Sequence, residues 1–320
     1  MAKCLGSLLG LLAAIALCGG CGRDRHTDGR MTVVASIAPL ASLTREVGGD
    51  RIHVELFVRP GQNPHVFEPT GEQMKALSRA KVLVLNGLAL EYWADKAVKG
   101  SGNSDLLVVD SSEGITAVDD EDAGSSCLWT SSSRNGCGHS HSATERSRGA
   151  GHPAGNPHVW LDPLLAARQV ENICDGLCRA DPGSESYYRS RASRLTARLR
   201  ELDVEIRSEV DSFSTRDFIT FHPSWIYFAN RYGLRQAAVI EEFPGKEPSA
   251  AYIREVIDVA RRVKARAIFA EPQFPSSAAK VVADECGARV LMLDPMGVPP
   301  DYDYFETIRK AVSTMKEAMR

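Results

Sequence analysis

Two copies of one tetrapeptide each place a histidine directly after a proline. Asn-Pro-His-Val occurs at residues 63–66 and again at residues 156–159, and an acid-proline pair follows each copy after a short interval. Proline fixes its own φ angle and favours an extended residue before it, which lowers the entropy lost in aiming the imidazole that follows. A turn rarely requires an identical tetrapeptide, so we interpret His65 and His158 as candidate metal ligands.

Two further side chains of metal-binding type come directly after predicted strands. His222 follows a strand that ends at Phe221, Asp294 follows the predicted strand 290–293, and a proline comes after each of them. Three neutral imidazoles and one carboxylate suit a tetrahedral Zn²⁺ ion. Mn²⁺ is the alternative, and by the Irving–Williams order it would bind this set less tightly. For a single histidine beside a strand, the alternative is a hydrogen-bonded turn residue.

Other polar residues near these motifs have a less direct relation to a metal. Glu271 also ends a predicted strand, so it competes with Asp294 for the fourth ligand position or holds an imidazole from outside the ligand set. Glu68 lies beside the first tetrapeptide and is a second candidate for such a supporting role. His53 lies within a predicted strand, and we interpret it as structural.

The elements that must position these side chains alternate between strand and helix. Short β-branched, apolar runs are separated by stretches of helical periodicity, which predicts parallel β-α-β units and an α/β fold. The predicted strands are residues 31–36, 52–57, 82–85, 106–109, 218–221, 237–240, 267–269 and 290–293. The predicted helices include one around residues 91–98 and one over residues 301–319. In open α/β sheets, ligands bind beyond the carboxyl ends of the strands, which is where His222 and Asp294 are expected.

The strands divide into two groups separated by one long helical segment. Residues 184–213 repeat apolar side chains at spacings of three and four, which predicts a rigid helix about 45 Å long. We therefore expect an N-terminal α/β lobe over residues 31–183, a linking helix over 184–213 and a C-terminal lobe over 214–320. Two facing lobes would bring His65 and His158 from one side to His222 and Asp294 from the other.

The first residues of the chain indicate a targeting segment that is not part of the fold. Lys3 precedes an apolar run that is too short to span a bilayer, so residues 1–21 are interpreted as a secretory signal. Small residues directly before Cys21 resemble a bacterial lipobox, and we expect Cys21 to carry a lipid; ordinary cleavage nearby is the alternative. Residues 22–30 form a polar tether. Either way, the mature protein is expected in the periplasm or on the outer face of the cytoplasmic membrane of a bacterium.

A long segment without periodicity interrupts the N-terminal half. Residues 119–155 are rich in Ser, Gly, Asp and Arg, begin with four acidic residues, and contain His139, His141 and His152. The three histidines are candidate metal ligands; the alternative is an insert that binds nothing. Cys127 and Cys137 strengthen the metal hypothesis slightly, although they could instead form a disulfide.

Composition excludes several classes of protein. The chain of 320 residues has 38 Lys plus Arg and 41 Asp plus Glu, so it is neither a strongly basic nucleic-acid binder nor a highly charged disordered chain. Eight cysteines are too few for a disulfide scaffold of this size. We expect Cys174, Cys178 and Cys286 to be buried thiols, and the protein to be a monomer.

Six motifs in order resemble the zinc- and manganese-binding proteins of ABC-type metal importers. The resemblance runs from about residue 32 to the C-terminus and implies two lobes joined by one long helix, with the metal in the cleft between them. It also implies that the ion is delivered to a membrane permease with its ATPase, with no chemistry performed on it. The motifs are Asn63-Pro64-His65, Asn156-Pro157-His158, Phe221-His222-Pro223, Lys246-Glu247-Pro248-Ser249, Glu271-Pro272-Gln273-Phe274 and Leu293-Asp294-Pro295-Met296-Gly297.

The resemblance makes His65, His158 and His222 the three histidine ligands and Asp294 the carboxylate position. Zinc-binding members of this family carry an acidic, His-rich loop where this chain has residues 119–155, so the resemblance implies that His139, His141 and His152 capture zinc with low affinity, to load the cleft or to sense its abundance. The leading hypothesis is an extracytoplasmic protein that binds zinc, with a manganese- or iron-specific member of the same family as the alternative. A zinc hydrolase is disfavoured, because four protein ligands leave no open position for water and no His-Glu-x-x-His motif occurs. A lipid-anchored surface adhesin is a third hypothesis.

Overall fold

The computed structural model describes residues 29–118, 155–241, 245–297, 299 and 302–320. The predicted signal segment with Cys21 and the three loop histidines, His139, His141 and His152, lie outside the described residues. Within the described part of the chain, no helix combines the length and the apolar character that crossing a membrane would require.

The N-terminal half is built on a four-stranded parallel sheet. Its strands are β1 (Met31–Ala35), β2 (Ile52–Leu56), β3 (Val82–Leu85) and β4 (Leu107–Asp110). They lie in the order β2-β1-β3-β4, and every pairing is parallel. The residues of β1 and β3 are mostly Val and Leu and are mostly buried, as expected for inner strands covered by helices on both faces.

The C-terminal half repeats the same arrangement. Its strands are β5 (Asp217–Thr220), β6 (Arg235–Val239), β7 (Ala267–Ala270) and β8 (Arg289–Met292). They lie in the order β6-β5-β7-β8 and also pair in parallel. The prediction of an α/β fold with two small parallel sheets is confirmed.

Nine α-helices surround the two sheets in the described part of the chain. They are α1 (Ala38–Gly48), α2 (Gly71–Arg79), α3 (Ala94–Gly100), α4 (Pro163–Ala180), α5 (Glu185–Asp211), α6 (Ile226–Tyr232), α7 (Ala250–Arg262), α8 (Ser277–Cys286) and α9 (Tyr304–Met319). Two of these helices begin where capping residues in the sequence predict. Thr70 and Gln73 form a capping box before α2, and the Asp162 side chain caps α4.

Helix α5 is the long helix predicted between the lobes. It has 27 residues, so it is about 40 Å long. Its buried stripe includes Leu195, Leu199 and Ile206, and the charged residues face outward, as the periodicity predicts. One continuous apolar core runs along this helix, from Val33 and Leu83 in the N-terminal sheet to Phe218 and Phe269 in the C-terminal sheet. The two lobes therefore share a core.

Three predicted features differ in the structure. The helix expected from Glu91 begins at Ala94, because the Glu91 carboxylate instead accepts hydrogen bonds from the backbone of Asn86 and Gly87. The helix expected from residue 301 begins at Tyr304, because the Asp303 side chain caps it. Cys174 and Cys178 are buried as expected, with sulfur atoms 4.0 Å apart, but Cys286 is only half-buried because it lies at the end of α8.

Candidate metal centre

His65 lies in a single turn of 3-10 helix that its tetrapeptide forms after β2. Residues Pro64–Val66 make the turn, and the Oδ1 atom of Asn63 accepts the backbone N–H of His65 at 2.9 Å. Proline at the first position needs no N–H donor there, which suits the turn. The imidazole is half-buried and points to the space between the lobes, where it meets two other histidines.

His158 is fixed by the second copy of the tetrapeptide and is 1% exposed. The Oδ1 atom of Asn156 lies 3.0 Å from the backbone nitrogen of His158 and 2.8 Å from its ring atom Nδ1. The indole of Trp160 packs beside the imidazole, with the ring centroids 5.1 Å apart. Backbone and ring of this histidine are both held by neighbours in the chain.

His222 lies two residues after the end of β5 and is 2% exposed. Its Nδ1 atom lies 2.8 Å from Oε1 of Glu271, which directly follows the neighbouring strand β7. The ring of Phe274 packs against the imidazole, with the centroids 5.0 Å apart. Because parallel strands end at the same edge of a sheet, residues 49 positions apart in the chain meet here.

The three imidazoles converge through their Nε2 atoms. Nε2 of His158 lies 3.2 Å from Nε2 of His65 and 3.0 Å from Nε2 of His222. Each of the three histidines offers one ligand atom, and these three atoms all lie within 4.8 Å of one another. Nitrogen ligands of a tetrahedral zinc ion, each about 2.0–2.1 Å from the metal, are about 3.3 Å from one another. The observed spacing is thus close to what zinc requires.

The partners on the far side of the rings determine where the protons lie. A carboxylate only accepts hydrogen bonds, so neutral His222 donates from Nδ1 to Glu271 and keeps a lone pair on Nε2. A lone pair of His222 then faces Nε2 of His158 at 3.0 Å. Converging lone pairs repel one another unless a cation lies between them. The arrangement is therefore suited to holding a positive ion.

The space at this centre is very small. The cavity bordered by the three histidines has a volume of about 10 Å³, which is roughly the space that one water molecule needs. Residues of both lobes line it, among them Asn63 and Trp160 from the N-terminal half and Glu271 and Phe274 from the C-terminal half. A single ion fits such a space, whereas an organic solute does not.

The structure places the other candidate residues in different surroundings. Asp294 is not part of the three-histidine group; its Oδ1 atom accepts hydrogen bonds from Nε2 of Gln273 and the backbone N–H of Met296, both at 2.9 Å. Asp294 lines a neighbouring cavity of about 180 Å³. Glu271 contacts His222 from outside the group, and Glu68 is exposed. The fourth ligand stays a prediction.

Sequence reasoning did not single out two residues that border this centre. The tetrapeptide pattern indicates no separate role for Asn156, although its side chain contacts the ring of His158. Glu241 lies two residues after the end of β6 and is 6% exposed; burial raises the pKa of its carboxyl, and the backbone N–H of Gly245 donates to it. Its position after a strand, like that of His222 and Glu271, was the available signal.

Comparison with known proteins shows the family of this chain. The family model described as zinc-uptake complex component A, periplasmic (ZnuA), matches residues 33–318. A putative metal-binding protein of Treponema pallidum is 32% identical over 268 residues, which cover 84% of this chain and 80% of that protein. The high-affinity zinc uptake system protein ZnuA of Bacillus subtilis is 28% identical over 283 residues, covering 88% and 84%.

The fold is found in a solved structure of the same family. A crystal structure of ZnuA superimposes with a TM-score of 0.76 and 29% sequence identity, covering 90% of this chain and 99% of that one. The matching family and its zinc-uptake members are components of metal uptake systems and not enzymes, which contradicts the hydrolase hypothesis. The chain belongs to the ZnuA family, the zinc-uptake component A proteins that serve as solute-binding proteins of ABC importers.

Proposed function

We propose that this protein captures Zn²⁺ outside the cytoplasm with high affinity and delivers it to an ABC transporter permease that works with its ATPase. The observation that carries this proposal is the convergence of three imidazole nitrogens, 3.0 and 3.2 Å apart, on a space of about 10 Å³. His65, His158 and His222 are the proposed ligands. Zinc is the cargo, and the protein performs no reaction on it.

The donor set favours zinc over manganese. Imidazole nitrogens suit zinc, whereas carboxylates, carbonyls and water suit Mn²⁺, and the Irving–Williams order also favours zinc. Asp294 is the proposed fourth ligand; its Oδ1 atom accepts hydrogen bonds from Gln273 and Met296. His139, His141 and His152 are proposed to capture zinc before it enters the cleft.

The location and organisation of the chain form part of the proposal. Residues 1–21 act as a secretory signal, and Cys21 carries the lipid that anchors the protein outside the cytoplasmic membrane through the tether 22–30. Lobes over residues 31–183 and 214–320 hold the metal between them as a monomer, joined by the helix 184–213. The periplasmic description of the matching family supports this location.

Replacing the three histidines tests the site. A variant with His65, His158 and His222 all changed to Ala should lose tight zinc binding, measured by competition with a chelator of known affinity. Changing the exposed His53 in β2 to Ala removes a histidine elsewhere and should leave zinc affinity unchanged. Zinc retained at one ion per chain by the triple variant would overturn the site assignment.

The pH dependence of binding provides a second check on the ligands. Imidazole binds a metal only when it is neutral, so zinc affinity should fall steeply below about pH 6. The same chelator competition, repeated from pH 5 to pH 8, measures this fall. An affinity that stays constant across this range would exclude histidines as the main ligands.

A metal-competition titration tests zinc against manganese and the role of the loop. Chelator-stripped protein is titrated with both ions, with residues 119–155 intact and with them deleted. We expect both forms to prefer zinc, and the intact form to take up additional zinc with lower affinity. A preference for manganese in both forms would reverse the assignment, and identical zinc uptake would remove the capture role of the loop.

A further inference from the structure

The geometry points to Asn156 as the positioning residue that sets the tautomer and the aim of His158, and so makes its Nε2 atom available to the metal. This inference rests on the proposed function, because it concerns one of the three proposed ligands. The role belongs to the second copy of the tetrapeptide and does not follow from the sequence pattern, which is the same in both copies.

The hydrogen bonds of the Asn156 carboxamide show which of its two terminal atoms faces His158. The atom assigned as Oδ1 lies 3.0 Å from the backbone nitrogen of His158 and 2.8 Å from its ring atom Nδ1. A backbone N–H can only donate, so the carboxamide must present its oxygen there. The ring nitrogen that contacts the same oxygen must then donate as well, which places the proton of the neutral imidazole on Nδ1.

The other end of the carboxamide supports the same orientation. Its Nδ2 atom donates to the backbone oxygen of Pro223 at 2.7 Å, and that oxygen can only accept. Turning the carboxamide over would place N–H groups against N–H groups and oxygen against oxygen. Pro223 directly follows His222, so the residue that aims one ligand is held by the loop that carries another.

The backbone of Asn156 is also held in place, and the residue is fully buried. Its backbone N–H donates to the carbonyl of Val118 at 2.8 Å, and its own carbonyl accepts the hydroxyl of Tyr227 at 2.6 Å. Tyr227 belongs to α6 in the C-terminal half. Contacts from both halves of the molecule therefore fix the side chain that fixes His158.

The tautomer of His158 matters because this ring is central to the group. Its Nε2 atom is the one that lies within 3.2 Å of each of the other two Nε2 atoms. A proton on Nε2 of His158 would occupy the position where the ion binds. That proton would have to leave Nε2 before zinc could bind there. Partners that orient metal-bound histidines are worth about 10- to 100-fold in metal affinity.

Asn63 supplies a matched control within the same motif. It occupies the same place in the first tetrapeptide, and its Oδ1 atom accepts the backbone N–H of His65 at 2.9 Å. Asn63→Ala and Asn156→Ala therefore remove the same backbone contact in two copies of one turn. A loss that is specific to Asn156 would come from its side-chain contacts with the imidazole of His158 and with the carbonyl of Pro223. The aspartate variant keeps an oxygen for the imidazole but lacks the donor to Pro223, so it separates the two contacts.

The decisive experiment compares zinc affinity in four full-length proteins: wild type, Asn63→Ala, Asn156→Ala and Asn156→Asp. We expect Asn156→Ala to bind zinc at least tenfold more weakly than Asn63→Ala. Asn156→Asp keeps an oxygen for Nδ1 and should recover most of the loss. Equal affinities of the two alanine variants, or an aspartate variant as weak as Asn156→Ala, would overturn the inference.

A second measurement needs no substitution at Asn156 and remains informative if that variant fails to fold. Long-range ¹H–¹⁵N spectra of the metal-free wild-type protein above pH 7.5 report the tautomer of each histidine, with His158→Gln used for assignment. We expect the proton of His158 on Nδ1; a proton on Nε2 would overturn the inference. Failure of the wild-type protein to bind zinc would instead overturn the proposed function, whatever the tautomer.

Discussion

Glu271 shows how a residue outside the ligand group can control one inside it. Its Oε1 atom accepts hydrogen bonds from Nδ1 of His222 at 2.8 Å and from the hydroxyl of Ser224 at 3.2 Å, and the residue is 1% exposed. A buried carboxylate in this position orients the ring and increases the electron density that the imidazole offers to a metal. Its charge, and not only its shape, should therefore matter.

Changing Glu271 to Gln tests that role. Glutamine can still accept the Nδ1–H of His222 but lacks the negative charge, so zinc affinity should fall about tenfold. The measurement is chelator competition at pH 7.5, with Glu68→Gln as a control because Glu68 is an exposed acid beside the first tetrapeptide. Equal losses in the two variants would mean that only the total charge of the protein matters.

At this scale the sequence predicts the kinds of residue well and their contacts less well. The repeated tetrapeptide and the positions after strands single out His65, His158 and His222, which the structure brings together. Asp294 also follows a strand, but its carboxylate contacts Gln273 and the backbone of Met296 instead. Which atom a carboxylate contacts depends on side-chain packing between distant segments, and periodicity contains no information about that packing.

Among the elements, the ends of β1 and β3 are joined by a buried carboxylate. Glu91 accepts hydrogen bonds from the hydroxyl of Ser36 at 2.6 Å, from the backbone of Asn86 at 2.7 Å and from that of Gly87 at 3.1 Å. The side chain of Asn86 in turn donates to the carbonyl of Pro157, directly before His158. Helical periodicity predicts a helix from Glu91, whereas α3 begins at Ala94. The contacts that hold Glu91 come from the ends of two strands, and periodicity contains no information about such contacts.

Glu91 should make the stability of the metal-free protein depend on pH. Burial raises the pKa of its carboxyl to about 7. An unfolded chain releases this proton at a lower pH than the folded chain, so the folded state holds more protons in between. The contribution of Glu91 to the free energy of unfolding must then decrease as pH rises, by up to about 3 kcal/mol between pH 4.5 and pH 7.

Urea denaturation of the wild type and of Glu91→Gln at pH 5 and pH 8 measures this effect. Glutamine does not titrate, so the stability of the wild type relative to the variant should fall by about 2–3 kcal/mol from pH 5 to pH 8. Other titrating groups are present in both proteins and cancel in the difference. A difference that is the same at both pH values would contradict the prediction.

For the whole molecule, the sequence predicts the two α/β halves but not how tightly they are joined. The alternation of strands and helices repeats after α5, and both sheets have equivalent strand orders. Helix α9, at the C-terminus, returns to the N-terminal half: the backbone N–H of Tyr304 donates to Ser42 at 3.0 Å, and its hydroxyl donates to the carbonyl of Trp160 at 2.7 Å. Contacts across 262 and 144 residues leave no local pattern in the sequence.

The shared core predicts that both sheets unfold in one cooperative step. Native-state hydrogen exchange of the metal-free protein, followed by mass spectrometry at increasing urea, gives the opening free energy of each sheet. Peptides containing β3 and β7 should converge on one opening free energy, because both strands contribute to the same apolar cluster.

Zinc at 100 times its dissociation constant should then raise both opening free energies equally, by about 2.7 kcal/mol, because it binds only the folded molecule. If β7 opened at a lower free energy than β3, or if zinc protected only one sheet, the lobes would be independent units and the ion would not stabilise them as one.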